Sequence, residues 1–388
     1  MKLGPEPATI VGAGIAGLTA ALCLAKAGHE VEILERSPRL EEVGAGLQLS
    51  PNALRVLGRL GLLPALRERG VSAEAVTLRS GRSGRVLASV PVLSGDGTPY
   101  LSILRSDLQA TLVDAVMAEP RIRLALDQSL VALTSTASAT FEIATRDGAG
   151  VETTRIGRRL IVAADGVRSA VASALALDAP VFTGLAAYRM MLDAPSPSGS
   201  IEAWLGTRHH AVAYPVAAGA RTNLVAIGPA VKDGAPRPVD RSDLVRRFAS
   251  WDSRLLALFD RAGPVTAWSL FETDRMEAKL PEGIVLIGDA AHAMLPFAAQ
   301  GAAMAIEDAA VLADAVETSS SLGEAAAVFR EARRARLEKV RRRVAFHRLV
   351  YHLPPPFAWA RDAALALRPQ SALKRDLAWL YDWTPPDR

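Results

Sequence analysis

The stretch TIVGAGIAGLTAALCLAKAGHEVEILER, residues 9–36, limits the fold more than any other part of the chain. Gly12, Gly14 and Gly17 interrupt its apolar run at fixed spacing, whereas a secretory signal needs a continuous apolar core. Thr9, Ile10 and Val11 read as the end of a buried strand, Leu18 to Ala27 as a helix that Gly28 ends, and Val31, Ile33 and Leu34 as the start of a second strand. The pattern predicts a βαβ unit that binds a dinucleotide. In such a unit the first glycine permits a tight turn, the second lets a pyrophosphate approach the backbone, and the third allows close packing of helix on strand. The helix N-terminus then presents unpaired N–H groups and partial positive charge to the phosphates. Eighteen residues past Gly17 stands Glu35, where a carboxylate can accept both hydroxyls of an adenosine ribose.

Composition narrows the class. A chain of 388 residues can hold two domains, and its 50% apolar content contains no uninterrupted run long enough to span a bilayer. The expectation is a soluble, cytoplasmic protein that does not bind membranes. The single cysteine, Cys23, excludes an intramolecular disulfide and lies in the apolar helix after the glycine turn, as a packed thiol would. Net charge is a modest +4, and no basic stretch is interleaved with aromatics, so nucleic acid is not an expected partner. In the densest basic run, RRARLEKVRRR at 333–343, Leu337, Val340, Val344, His347 and Tyr351 share one helical face. The spacing predicts a solvated amphipathic helix with its arginines on the opposite side. The six histidines are scattered, and their adjacent pair, His209-His210, lacks further metal ligands at suitable spacing.

Farther along, Leu101 to Met117 reads as a helix entered at Ser106-Asp107, and Leu124 to Ile156 as short alternating strands leading into LIVAADG. Residues 176–275, richer in proline and in β-like runs such as AVAYPV and TNLVAIG, suit an inserted antiparallel sheet. The strand GIVLIGD returns to the first domain, and mostly helices follow, with a break at Pro354 to Pro356.

Five motifs in order carry a family resemblance: the glycine turn with Glu35-Arg36, GAGLQLSPNA at 44–53, RSDL at 105–108, AADGVRS at 163–169, and GDAAHAMLP with AQG and AIEDA at 288–309. Over nearly its whole length the chain resembles the single-component FAD-dependent aromatic hydroxylases, the class A flavoprotein monooxygenases of the salicylate hydroxylase, 3-hydroxybenzoate 6-hydroxylase and 6-hydroxynicotinate monooxygenase type. The resemblance implies an α/β fold with a Rossmann-like FAD-binding domain over 1–175 and 276–335. An inserted antiparallel-sheet substrate domain would cover 176–275, with 73–100 open to joining its sheet, and a C-terminal helical segment 336–388. FAD is the implied cofactor, with NADH or NADPH as a transient co-substrate; no second glycine turn after a strand is present to hold it. Gly12, Gly14, Ala16, Gly17, Glu35 and Arg36 would bind the adenosine half, with Glu35 on the ribose. Arg105 would lie along the FAD, with Gln48 also binding cofactor. Asp165 would support FAD and the passage of the nicotinamide, and Asp289 would hold the ribityl chain. Pro296 would flank the reactive ring edge, while a helix starting at Gly301 and Ala302 would stabilise negative charge on the reduced ring. His292 is expected to pack or hydrogen-bond within its loop rather than to transfer protons.

In RHHAVAYPV, His210 and Tyr214 are four apart, which on a strand places both on one face. Hydroxylation through a flavin C4a-hydroperoxide is electrophilic, so removing a phenolic proton activates the ring, and histidine suits that task near neutral pH. The family places His and Tyr similarly, which makes His210 and Tyr214 the expected catalytic pair. Gln300 is an expected hydrogen-bond partner of the substrate's polar group, and Arg189 a candidate partner for a carboxylate. The implied activity is hydroxylation of a small phenolic or heteroaromatic acid with O2 and NAD(P)H, by a monomer or homodimer. The alternatives are a flavin monooxygenase for a larger, non-acidic substrate of the polyketide kind, and a non-catalytic dinucleotide-binding protein.

Overall fold

The computed structural model describes residues 7–40, 45–136, 140–230 and 234–386; Gly44, the first residue of the GAGLQLSPNA motif, lies outside them. Five parallel strands form the central sheet, in the order Ile284–Leu286, Leu160–Ala163, Ala8–Val11, Val31–Leu34, Ile122–Ala125. The first four of these are buried at every position, as expected of parallel strands covered on both faces. The chain fills one side of Ala8–Val11 first and the other side later. This reversal opens a crevice beyond the carboxyl ends of Ala8–Val11 and Leu160–Ala163, where ligands bind in open α/β sheets.

The second large sheet has eight strands in the order Arg237–Val239, Val265–Glu272, Val181–Leu192, Arg221–Pro229, His209–Val216, Ile201–Gly206, Ala75–Ser80, Val86–Pro91. Its last two strands come from the 73–100 region. Alternation separates its faces: Ala186, Tyr188, Met190, Ala211, Ala213, Leu224 and Ala226 pack with Leu244, Phe248, Leu255 and Phe259 of the adjoining helical segment as one core. The residues between them point to the opposite side.

Two expectations from the sequence need correction. Leu101–Leu104 is a strand, paired with Gly46–Leu49 and Val71–Ser72, and the helix begins only at Arg105 and runs to Ala118. All four residues of that strand are buried, and a short apolar run carries no periodicity that separates a buried strand from a helix. The boundary drawn at 335/336 falls inside one unbroken helix of 30 residues, Leu322–Tyr351, because after Gly323 in its first turn no Gly or Pro occurs before Pro354. Phe357–Leu367 and Gln370–Tyr381 follow it, with the proline triplet between.

The basic run is a third correction. Leu337, Val340 and Val344 are buried as the spacing predicts, but Arg333 is only 1% exposed and Arg336 is also largely covered. Both reach Glu307 of the helix Gly301–Thr318, and Arg333 also reaches Asp308. The arginine face is therefore split between solvent and a buried acidic pair. Among the described residues, no helix is long and apolar enough to cross a membrane.

Candidate active site

At the crevice, Gly12 has φ +103°, a conformation open to glycine, and a side chain there would meet the Ala164 carbonyl oxygen at 2.6 Å and Asp165 Cα at 2.8 Å. Any side chain at Gly17 would collide with the Gly12 carbonyl, so this glycine serves helix-on-strand packing. Gly14, at the N-cap of Ile15–Lys26, faces open space instead. Glu35 follows directly on its strand and spans the turn: its carboxylate accepts the Ala13 N–H at 2.7 Å and the Ser37 N–H at 2.9 Å. Cys23, in the same helix, is pushed up to about 12 by burial, which keeps it a protonated packing thiol.

One cavity of about 870 Å³ continues from this turn to the eight-stranded sheet. Its lining includes Gly12, Gly14, Ala16, Glu35, Arg36, Gln48 and Arg105 at one end. Asp165, Asp289, Pro296, Gly301 and Ala302 line it further in, and Arg189, His210 and Tyr214 line it on the sheet. Gln48 accepts a hydrogen bond from the Tyr100 hydroxyl at 2.7 Å. Asp289 begins the short helix Asp289–His292, and Pro296 the turn Pro296–Ala298. Gln300 caps Gly301–Thr318 without a side-chain capping bond, so the first N–H groups of that helix open toward the cavity.

On the sheet, alternate residues of neighbouring strands face the cavity: Ala187 and Arg189, His210, Val212 and Tyr214, Val225 and Ile227. His209 turns the other way, against Phe248, with ring centroids 5.3 Å apart. Burial, together with the neighbouring His352, His209 and His347, holds the His210 imidazole well below its ordinary value, so it is neutral at pH 7. Burial likewise raises the Tyr214 phenol, only partly offset by Arg189. The Arg189 guanidinium stacks over Trp268, 4.7 Å from the ring centroid.

The family profile described as FAD binding domain matches residues 6–342. The chain belongs to this family. It is 34% identical to 3-amino-4-hydroxybenzoate 2-monooxygenase of Streptomyces cremeus over 391 residues, covering 97% of this chain and 94% of that protein. It is 30% identical to 3-hydroxybenzoate 6-hydroxylase of Klebsiella oxytoca, covering 97% and 96%. In fold it matches Klebsiella pneumoniae HpxO complexed with FAD and uric acid, with a TM-score of 0.84 at 20% identity over 98% of each chain. The protein is an FAD-dependent aromatic-ring monooxygenase.

The residues present fit FAD on their own evidence. At Gly14, the N-cap of Ile15–Lys26, nothing lies within 4 Å of where a side chain would begin, which leaves the room a pyrophosphate needs to approach the helix N-terminus. Asp165 spends one carboxylate oxygen on the Ala170 and Val171 N–H groups, while its other oxygen, Oδ1, is buried beside the cavity without a protein partner. A buried acceptor of that kind needs a donor from a ligand or water.

Gln300 does not occupy the position expected of a substrate contact. Its side chain is 1% exposed, donates to Ser50 Oγ at 3.1 Å and accepts from Asn52 Nδ2 at 3.3 Å, and it is absent from the cavity lining. Asn52 continues to Glu307 at 2.6 Å, so Gln300 belongs to the polar network beneath the loop. Within that network Asp308 accepts from the Gly288 N–H at 2.8 Å and lies 2.5 Å from His292 Nε2. His292 thus holds its loop, as the sequence suggested.

The sequence did not single out the wall supplied by the C-terminal helices. Arg343, His347, Tyr351 and Tyr381 line the cavity. Phe297 lies with its ring centroid 4.7 Å from that of His210, and Tyr351 5.5 Å from it. The signal was present in the helical face that joined His347 and Tyr351 to Leu337, Val340 and Val344, because that buried face ends over the cavity. His352, which touches His210, had no local signal.

Proposed function

We propose that the protein hydroxylates a small phenolic acid, with the phenolic oxygen at His210 and Tyr214 and the carboxylate toward Arg189. One observation carries this reading: among the described residues of the eight-stranded sheet that line the cavity, these three are polar and the others apolar, and they share that cavity with the loop Pro296–Gly301 and the glycine turn. Curated relatives act on an aminohydroxybenzoate and a hydroxybenzoate, each a carboxylate on a phenolic ring.

In this reading Glu35 receives the ribose, Arg105, Gln48 and Asp165 line the cofactor, and Asp289, exposed along the cavity, takes the ribityl hydroxyls. Bound FAD, reduced by NAD(P)H, supplies an electrophilic oxygen atom from O2. The chain's own contribution is to make the ring nucleophilic and to keep water out. His210 is neutral, so it can accept the phenolic proton without first losing one. Tyr214, held protonated, donates a hydrogen bond to the developing phenolate. Phe297, Tyr351, Val212 and Ile227 surround the ring with apolar surface.

The test is to screen 3-amino-4-hydroxybenzoate, 3-hydroxybenzoate and neutral aromatics for stimulated NADH and NADPH oxidation, with mass spectrometry of the product. The expected result is stimulation by the acids and a product one oxygen atom heavier. Stimulation by large neutral aromatics alone would overturn it.

A further inference from the structure

His210 Nδ1 lies 2.9 Å from His352 Nε2. A contact of this kind needs one proton between the nitrogens, so one ring donates and the other accepts. When His210 donates through Nδ1, its Nε2 carries a lone pair and is the nitrogen left for the substrate. A proton taken up there would create an imidazolium that is 2% exposed, packed against Phe297 and Tyr351, with His209 and His347 nearby. That site disfavours positive charge. His352 offers an escape. It follows the last residue of Leu322–Tyr351, is only half-buried, and its carbonyl accepts the Arg208 N–H at 3.3 Å, which ties it to the turn leading into the His210 strand.

We infer that His352 relays the substrate's phenolic proton from His210 to solvent. This rests on the reading of His210 as the base. The phenolic O–H proton passes to His210 Nε2 as the His210 Nδ1 proton passes to His352 Nε2, and His352 releases its Nδ1 proton to water. No cation stays in the cavity. After oxygen transfer the proton on the attacked carbon leaves to water as the ring regains aromaticity, and the product phenolate recovers a proton along the same path, resetting both tautomers. His352 does not retain the proton, because burial and then His209, Arg348 and Arg361 hold it at about 4. His347 cannot substitute: its Nδ1 is engaged by the Phe297 carbonyl at 3.1 Å and its ring stacks on Tyr351.

The first experiment needs no turnover. In FAD-loaded protein with 15N-labelled histidine, NMR should find His210 as the Nδ1–H tautomer; an Nε2–H tautomer overturns the relay. Turnover is then read with 3-amino-4-hydroxybenzoate and 3-hydroxybenzoate in His352→Ala, His352→Gln and His210→Asn. Glutamine offers an acceptor oxygen to His210 Nδ1 and so preserves its orientation, but it cannot pass a proton. Both His352 variants should lose about 10²-fold in hydroxylation, the low end of a positioned acid–base contribution, with hydrogen peroxide replacing product. Free imidazole should restore the Ala variant and not the Gln variant. Normal coupling in His352→Gln overturns the relay and leaves His352 a positioning residue; normal coupling in His210→Asn overturns the base reading itself.

Discussion

Replacing Arg333 with leucine should damage this protein more than any exposed arginine substitution. Arg333 Nε lies 2.7 Å from Asp308 and Nη1 2.7 Å from Glu307, and both acids are fully buried. Each acid keeps other partners, His292 and the Gly288 N–H on Asp308, and Arg336 and Asn52 on Glu307. The loss is therefore set at that of one broken buried pair, about 3–5 kcal/mol, rather than two. Arg334→Leu is the control: this arginine is 56% exposed and pairs with Glu277 at the surface, so its loss should stay below about 1 kcal/mol. Urea unfolding followed by circular dichroism measures both. Acid adds a second signature. Burial alone would raise Asp308, but His292 and Arg333 prevail and hold it at about 2, below the unfolded value of about 3.9. Its contribution is thus fully present above about pH 4 and is lost as pH falls toward about 2. Without Arg333 the folded value rises, so acid unfolding should begin at higher pH. If Arg333→Leu stays within about 1 kcal/mol of the parent and its acid limb does not move, the buried acids do not depend on this arginine.

Gly12→Ala should abolish FAD retention and destabilise by at least about 1–3 kcal/mol, because φ +103° and the Ala164 carbonyl both oppose a side chain; gel filtration followed by flavin absorbance checks it. Asp289→Ala should weaken FAD binding by about 1–3 kcal/mol with little change in unfolding, and unchanged affinity would remove the ribityl assignment. Arg189→Gln should raise KM for a carboxylate substrate by about 10- to 150-fold while leaving neutral phenols unaffected, the range of a charge-assisted hydrogen bond. Coupling of hydroxylation to NAD(P)H oxidation should stay level as pH falls through 6.5, since His210 titrates well below that; a loss centred at 6.5 would show an ordinary, solvated imidazole at the base.

What the sequence revealed depended on how local the cause was. The glycine turn and Glu35 were legible because their constraints act within one βαβ unit. His210 and Tyr214 were assigned to one face by strand alternation alone, and both line the cavity. Leu101–Leu104 was misread because its partners lie more than fifty residues upstream and some thirty upstream, at Gly46–Leu49 and Val71–Ser72. Gln300 was misread because Ser50 and Asn52, which hold its amide, come from another motif altogether. Arg333 and Arg336 looked solvated because charge composition does not show which helix a residue will meet. His352 meets His210 across 142 residues, a pairing that no spacing rule encodes.

The two-faced eight-stranded sheet divides mutational consequences by parity. Along Val181–Leu192, His209–Val216 and Arg221–Pro229, stepping one residue moves a side chain from the cavity to the Phe248–Phe259 core. Substitutions at Ala187, Val212, Val225 or Ile227 reshape the cavity wall and leave the core on the far side of the sheet intact. Their immediate neighbours, Ala186, Ala211, Ala213 and Leu224, have the reverse property. A change of parity on a few strands therefore separates the shape of the cavity from the stability of the core behind it.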